Sequence, residues 1–456
     1  MFVSHGKRIK PSDKSLVKNF ALACLIPCFL AILLIFNLYS LLQIDWSVSL
    51  LGIAKQFKIS PILIISVLVG LLACGGLVWW YQYYQCDHYR QLRHRQALAR
   101  MILDNHWYDT VKVEDSRFFT DTKSKTKDKI SYWPKIFYQM KDCKLHIKVE
   151  VTMGKYQEQL LNLEKKLESG LFCELTDKEQ LEGFIQYTLL YDMVANRIAI
   201  DEVKAENGKL QLMKNLSWKY DSLPNMLICG GVGGGKTYFI LTIIKALLET
   251  NAKMYVLDPK NADLADLASV MTNVYSKPND IINIIDRFHA DMINRSEIIK
   301  QLSSYRTGEN YAYAGLEANF LVFDEYVAFM ELIGTKESGP VIAKLKQIVM
   351  MGRQLGFFVI LACQRPDAKY FADGIRDQFN FRVALGRMSE LGYSMMFGET
   401  KKQFFLKPIK GRGYVDTGVS VISEFYTPLV PKGYDFLYEI EKVASKGHPK
   451  QPDCEA

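Results

Sequence analysis

Two short runs of residues have the types and spacing for phosphate chemistry. The first is Gly230-Gly-Val-Gly-Gly-Gly-Lys-Thr237, which matches G-x-x-x-x-G-K-[ST]. Glycines let the backbone fold tightly and turn its N–H groups toward an anion at a helix N-terminus. Gly230, Gly231, Val232, Gly233, Gly234, Gly235, Lys236, Thr237 and Tyr238 are therefore expected to bind ATP, with Lys236 on the β- and γ-phosphates and the Thr237 hydroxyl on Mg2+. The second run is Asn319-Phe-Leu-Val-Phe-Asp324-Glu325, whose acids begin 88 residues after Lys236. Asp324 suits the Mg2+ shell through water, and Glu325 suits polarising the attacking water. The chemistry expected is ATP hydrolysis.

Both runs need elements to hold them. Pro224–Cys229 is a short apolar strand before the glycines, and Tyr238–Leu248 reads as the helix after them. Asn319–Phe323 carries the acids to a strand end. Lys253–Leu257 and Phe357–Leu361 read as two more strands, ending near Asp258 and Gln364. Ligand groups in open α/β sheets gather beyond the carboxyl ends of strands. Alternating strand and helix patterns predict a RecA-like α/β core, a parallel sheet flanked by helices.

Charge does not point to nucleic acid in any simple way. The 456 residues carry a net charge of +8, but residues 1–100 alone hold 11 Lys or Arg against three acids. The remaining 356 residues carry 46 of each sign and are neutral overall. The nine cysteines form no Cys-x-x-Cys pair, which argues against a zinc site or a disulfide framework and fits a reducing compartment.

The basic excess flanks two apolar stretches. No charged side chain lies between Asn19 and Ile44, or between Ile59 and Cys86. Both are long enough to span a bilayer, with helices expected at about 19–44 and 59–84. Lys7, Arg8, Lys10, Lys14 and Lys18 precede the first stretch, and Arg90, Arg93, Arg95 and Arg100 follow the second, against Lys55 and Lys58 between them. Positive flanks stay in the cytoplasm, so the reading is a multi-pass cell-membrane protein with both termini cytoplasmic. Trp79, Trp80, Tyr81, Tyr83 and Tyr84 would form an interfacial belt, while Pro27 and Asn37 read as packing details.

The expected domains are a membrane anchor at 1–86, a small membrane-proximal α+β domain at 87–200, the P-loop motor at 201–440 and a tail at 441–456. In the second, 87–105 continues as helix, 130–152 gives strands with a turn near Lys141-Asp142, and Tyr156–Leu167 is helix-like. Lys123, Lys125, Lys127 and Lys129, interleaved with Asp121 and Asp128, read as a solvated loop.

From 220 to 390 the sequence resembles the FtsK/SpoIIIE-type DNA translocases, within the hexameric RecA-like pumps that include conjugative coupling proteins. The likeness rests on the P-loop, Asp258-Pro-Lys260 with Asp263-Leu264, Val322-Phe-Asp-Glu-Tyr326, Met351-Gly-Arg-Gln-Leu-Gly356, Leu361-Ala-Cys-Gln-Arg-Pro366 and Phe381-Arg-Val-Ala-Leu385. It implies that Gln364 senses the γ-phosphate and that Arg353 is an arginine finger reaching a neighbour's ATP in a homo-hexamer. Arg365, Arg382 and Arg387 are weaker candidates for that task, and Asp258 and Lys260 would have coupling or structural roles.

Chromosome-segregating members have more spans, a long linker and a C-terminal winged helix. Here two spans precede the motor, and the 69 residues after Arg387 look like its end. That layout is similar to TcpA-type coupling proteins of Gram-positive conjugative elements. It implies a DNA pump working with a relaxase and other conjugation-channel proteins. The other readings are an FtsK-like translocase in chromosome or plasmid segregation, and a protein-secretion ATPase. Lys401, Lys402, Lys407, Lys410 and Arg412, with Phe404 and Phe405, suit phosphate contact and base stacking, or a solvated hairpin.

Overall fold

The computed structural model describes residues 6–42, 61–114, 126–141, 144–231, 233–367, 369–371, 375–400, 402–405, 409–418 and 421–447. Residues 1–172 with 179–188 form one compact unit, and residues 173–178 with 189–456 form the other. The anchor and the membrane-proximal segment thus fall within one unit. Residues 173–178 and 189–200 fall in the motor's unit, and Met193, Ile198 and Ile200 are buried in its core.

In the first unit, β1 (Lys7–Arg8) precedes α1 (Leu16–Leu42), α2 (Pro61–Tyr84) and α3 (Cys86–Asp104). Helices α1 and α2 are long and apolar enough to cross a membrane. The Asn37 side-chain amide joins them by donating to Ser66 Oγ at 3.0 Å. The expected charge-bearing loop with Lys55 and Lys58 lies outside the described residues.

The flanks of this helix pair fold together. β1 pairs antiparallel with β4 (Ile136–Lys141), and the Trp133 indole donates to Ile9 O at 3.1 Å. Buried Asp13 pairs with Arg95 at 3.0 Å, and Gln96 Oε1 accepts from the Val17 N–H at 2.9 Å. The segments before the first apolar helix and after the second therefore pack against each other.

A ribbon of β2 (Asp109–Glu114) and β3 (Thr126–Tyr132) accompanies a sheet ordered β1-β4-β5-β7-β6, with β5 at Lys144–Glu150, β6 at Glu174–Leu181 and β7 at Phe184–Leu190. Lys127 and Lys129 stand on β3, opposite Val113 and Val111, so that part of the expected loop is strand. Lys123 and Lys125 lie outside the described residues. The region 156–167 holds two short helices, α4 (Gln157–Leu161) and α5 (Glu164–Leu171), split at Asn162 and Leu163.

The second unit opens with a three-stranded sheet, β8 (Ala205–Glu206), β9 (Lys209–Met213) and β10 (Leu216–Trp218). An eight-stranded sheet follows, built from β11 (Met226–Gly230), β12 (Lys253–Leu257), β13 (Val274–Tyr275), β14 (Asn319–Phe323), β15 (Phe357–Cys363), β16 (Phe381–Leu385), β17 (Arg412–Asp416) and β18 (Ser423–Tyr426). Its order is β13-β12-β14-β15-β11-β16-β17-β18. The first six strands in that order are parallel, and β17 and β18 are antiparallel. Strand β15 lies between the P-loop strand β11 and the acid-bearing strand β14.

Both faces of the sheet are buried, which is why its strands read as unbroken apolar runs. Met226, Ile228, Val256, Phe320 and Val322 pack on one face with Phe239 and Ile243 of α6 (Lys236–Leu248). Leu227, Cys229, Leu257, Leu321 and Phe323 pack on the other with α7 (Pro278–Ile298) and α8 (Tyr326–Leu355). Helix α8 breaks at Gly334 (φ 74°, ψ 173°). After β16 come α9 (Glu390–Phe397), β17, β18 and α10 (Phe436–Gly447). Val415, Phe425, Phe436 and Ile440 join the motor core.

Candidate nucleotide site

Strand β11 ends at Gly230 and α6 begins at Lys236, so the glycine run is the turn between them. Two glycines are required there. Gly235 caps the helix at φ +93°, a conformation L side chains rarely adopt. A Cβ on Gly230 would lie 3.0 Å from the Leu385 carbonyl oxygen of β16. The loop opens into a cavity of about 930 Å³ whose walls include Gly230, Gly231, Gly233, Gly234, Gly235, Lys236, Thr237, Tyr238, Asp324, Glu325 and Gln364. The sequence-predicted loop, acids and glutamine therefore come together. Val232 lies outside the described residues. Tyr238 is exposed, its ring edge-on to Phe436 at 5.4 Å.

Asp324 and Glu325 are each 8% exposed. The Lys236 amine lies 3.2 Å from Asp324 Oδ1 and 2.6 Å from Glu325 Oε1. Two further donors reach that same Glu325 oxygen, the Lys260 amine at 3.1 Å and the Gln364 amide at 3.3 Å. Glu325 starts α8 in the left-handed region (φ 45°, ψ 40°), and its N–H donates to Asp324 Oδ1 at 2.9 Å. Such a conformation costs about 1–2 kcal/mol in an L residue.

The environment drives the two carboxyl groups apart. Burial raises the Asp324 pKa, and Lys236 offsets this only in part. Burial also acts to raise Glu325, but Lys236 and then Lys260 outweigh it and hold Glu325 below the usual carboxylate range. For Lys236 burial is again the largest influence and acts downward, yet Asp324 and Glu325 hold its pKa above normal. The result is an acceptor, Glu325, that stays ionised and faces the cavity.

Asp258 is buried at the end of β12 and does not face the cavity. Its carboxylate accepts from the N–H groups of Lys260, Ala262 and Ala265 at 3.1, 2.8 and 3.1 Å. It therefore shapes the 259–265 turn and sets the backbone from which Lys260 reaches Glu325.

A divalent cation has oxygen donors here. Thr237 and Asp324 line the same cavity as the loop glycines, and a hydroxyl with a carboxylate is a hard oxygen set that fits Mg2+.

Other sequence candidates lie elsewhere. Arg353 is exposed in the last turn of α8, before β15 begins, whereas the P-loop follows the opposite, carboxyl end of the strands. Arg382 is used structurally, donating to the carbonyl oxygens of Phe379, Met396 and Arg376. Arg365 contacts Met395, and Arg387 is exposed just past β16.

The basic and aromatic cluster at 401–412 is largely consumed within the motor. Buried Arg412 pairs with buried Glu424 at 2.5 Å, Lys402 pairs with Glu174 at 2.5 Å, and Phe404 stacks on Tyr393 at 4.0 Å. Phe405 is exposed and Lys410 faces the nucleotide cavity, while Lys401 and Lys407 lie outside the described residues.

Sequence reasoning missed one wall of the cavity, formed by Arg197, Lys410, Gly411 and the run Thr427–Gly433. Arg197 Nε donates to Thr427 O at 2.7 Å, and the Thr427 N–H donates to Gly411 O at 2.8 Å. These residues come from distant parts of the chain. The sole local hint was the pair of prolines, Pro428 and Pro431, directly after a strand.

Comparison with known proteins agrees with this arrangement. The FtsK/SpoIIIE family model matches residues 191–330. The Ftsk domain-containing protein YdcQ of Bacillus subtilis strain 168 is 46% identical over 440 residues, 96% of this chain and 91% of that protein. The DNA translocase FtsK of Helicobacter pylori strain J99 is 27% identical over 251 residues, 52% of this chain but 26% of that protein. Among solved structures, the pCW3 conjugation coupling protein TcpA, in its monomer form with ATPγS, matches 78% of this chain and 99% of its own. Its TM-score is 0.50 at 16% identity, a likeness of fold.

Proposed function

The chain belongs to the FtsK/SpoIIIE family of ATPases, and on that premise we propose that it is a membrane-anchored coupling protein that pumps DNA during conjugative transfer. The observation that carries this reading is the fold shared with nearly the whole of TcpA, a conjugation coupling protein. The two apolar helices support anchoring in the cell membrane. The folding together of residues 7–17 with residues 95–100 and β4 supports placing both flanks on one side, and their Lys and Arg make that side the cytoplasm.

In the proposed cycle Lys236 leaves Asp324 and Glu325 for the β- and γ-phosphates. Thr237 and Asp324 would hold Mg2+, which would supply charge neutralisation on the phosphates. Glu325 orients and polarises the attacking water, Gln364 reports the γ-phosphate, and Arg353 of one subunit of a homo-hexamer serves the ATP of the next. A relaxase and other channel proteins deliver the DNA and receive it.

The test is transfer frequency in cells whose own copy has been deleted. Complementation with the intact chain restores transfer, while Lys236→Ala and Glu325→Gln chains, present at equal membrane levels, do not. Normal transfer without the gene, combined with a division defect, contradicts conjugation and favours segregation.

A further inference from the structure

We infer that Lys260 is a positioning residue that keeps hold of the Glu325 carboxylate once Lys236 has moved to the nucleotide. The inference rests on the ATPase reading of this site. Three donors converge on Glu325 Oε1, and they are not equivalent. Lys236 is closest at 2.6 Å, but it belongs to the P-loop and its task is on the phosphates. Gln364 is farthest at 3.3 Å and carries no charge. Lys260 lies between them at 3.1 Å and is the cation that remains after Lys236 departs.

The geometry around Lys260 suits that role. Its backbone is fixed by buried Asp258, which accepts from three N–H groups of the turn. Its side chain is 44% exposed, so the amine sits at the cavity rim and can follow a small movement of Glu325. Glu325 itself is constrained, 8% exposed in a left-handed backbone conformation beside the Asp324 carboxylate. With neither lysine, two adjacent carboxylates repel each other and the Glu325 carboxylate turns away from the water it must orient. A charge-assisted bond from Lys260 prevents this.

The test uses the full chain in lipid nanodiscs, measuring ATP hydrolysis without DNA and ATPγS affinity for each variant. Lys260→Met is expected to lower kcat about 10- to 100-fold while leaving the ATPγS Kd within about twofold, since the effect acts on water orientation and not on binding. Lys260→Arg, which can reach the same oxygen, is expected to recover most of the loss. In a Glu325→Gln background, Lys260→Met is expected to add no further loss, because its target is already gone.

The inference is overturned if Lys260→Met keeps wild-type kcat, if its Kd rises as far as kcat falls, or if its loss adds fully to that of Glu325→Gln. Retained ATPγS binding shows that the variant is folded. Failure of the underlying reading looks different: the wild type would not hydrolyse ATP, or Glu325→Gln would hydrolyse it normally, and either result removes the inference as well.

Discussion

The Lys236 amine bridges Glu325 Oε1 at 2.6 Å and Asp324 Oδ1 at 3.2 Å, so the P-loop lysine is the shared counter-ion of both acids. In the proposed cycle ATP exchanges these partners for phosphate. Removing the lysine leaves two adjacent carboxylates, each 8% exposed, with one cation fewer. Lys236→Ala is expected to abolish ATPγS binding and to destabilise the motor by about 3 kcal/mol. Adding Glu325→Gln to Lys236→Ala is expected to return part of that stability. Thermal unfolding of the single and double variants measures the coupling, and full additivity contradicts it.

The proposed roles of Glu325 as acceptor and Arg353 as a trans-acting arginine predict separable effects. Glu325→Gln is expected to bind ATP normally and to hydrolyse it about 10²–10⁴-fold more slowly. Arg353→Ala is expected to bind ATP and to lose about 10³-fold in rate. Mixing Arg353→Ala with Lys236→Ala subunits is expected to restore part of the activity, because an intact P-loop can then receive an arginine from its neighbour. Steady-state hydrolysis of the mixture decides this, and no recovery at any ratio excludes the trans arrangement.

Arg412 and Glu424 form a pair at 2.5 Å, with side chains 5% and 4% exposed. Arg412→Ala takes this cation away from buried Glu424, so a loss of about 3–5 kcal/mol is expected. Arg412→Met with Glu424→Leu, which removes both charges, is expected to be far less harmful. Neither change should alter DNA affinity of folded protein, measured by fluorescence anisotropy at fixed salt. A fall in affinity with the salt slope reduced by about one would return Arg412 to the DNA interface.

His94 in α3 gives the membrane-proximal unit an acid sensitivity. Burial, reinforced by Arg90 and Arg93, lowers its pKa from 6.5 to about 4, and its Nδ1 lies 3.1 Å from the Tyr138 hydroxyl. Above pH 6.5 both folded and unfolded forms are neutral there. Between 6.5 and 4 the unfolded chain binds a proton that the folded chain does not, so stability falls as pH falls. The loss approaches roughly 3 kcal/mol near pH 4. Hydrogen exchange in α3 and β4 is expected to accelerate from pH 6.5 downward, beyond its intrinsic pH dependence. It should do so less in His94→Gln, and an equal acceleration in both contradicts the account.

Much of the motor could be read directly. Lys253–Leu257, Asn319–Phe323 and Phe381–Leu385 are strands at their expected bounds, because a sheet buried on both faces demands short, wholly apolar segments. The Gly-Lys-Thr turn and Asp324-Glu325 come together because a parallel sheet brings successive strand ends to one edge.

What was not legible depends on tertiary pairing. Lys127 and Lys129 read as loop, but β2 gives them a partner strand. The 401–412 cluster read as either a DNA-contacting surface or a solvated hairpin because its partners, Glu174 and Glu424, lie outside it in sequence. The wall from Arg197 and Thr427–Gly433 joins segments some 230 residues apart through the Arg197–Thr427 bond and a backbone bridge from Ile198 and Ile200 to Leu429, and no local pattern reports that.

The most direct measurement is the ATP hydrolysis rate of the full chain in nanodiscs, titrated with DNA. The account predicts a rate that rises several-fold with added DNA, falls back as salt is raised, and is lost in Glu325→Gln. A rate indifferent to DNA at every salt concentration, with hydrolysis itself intact, would contradict it.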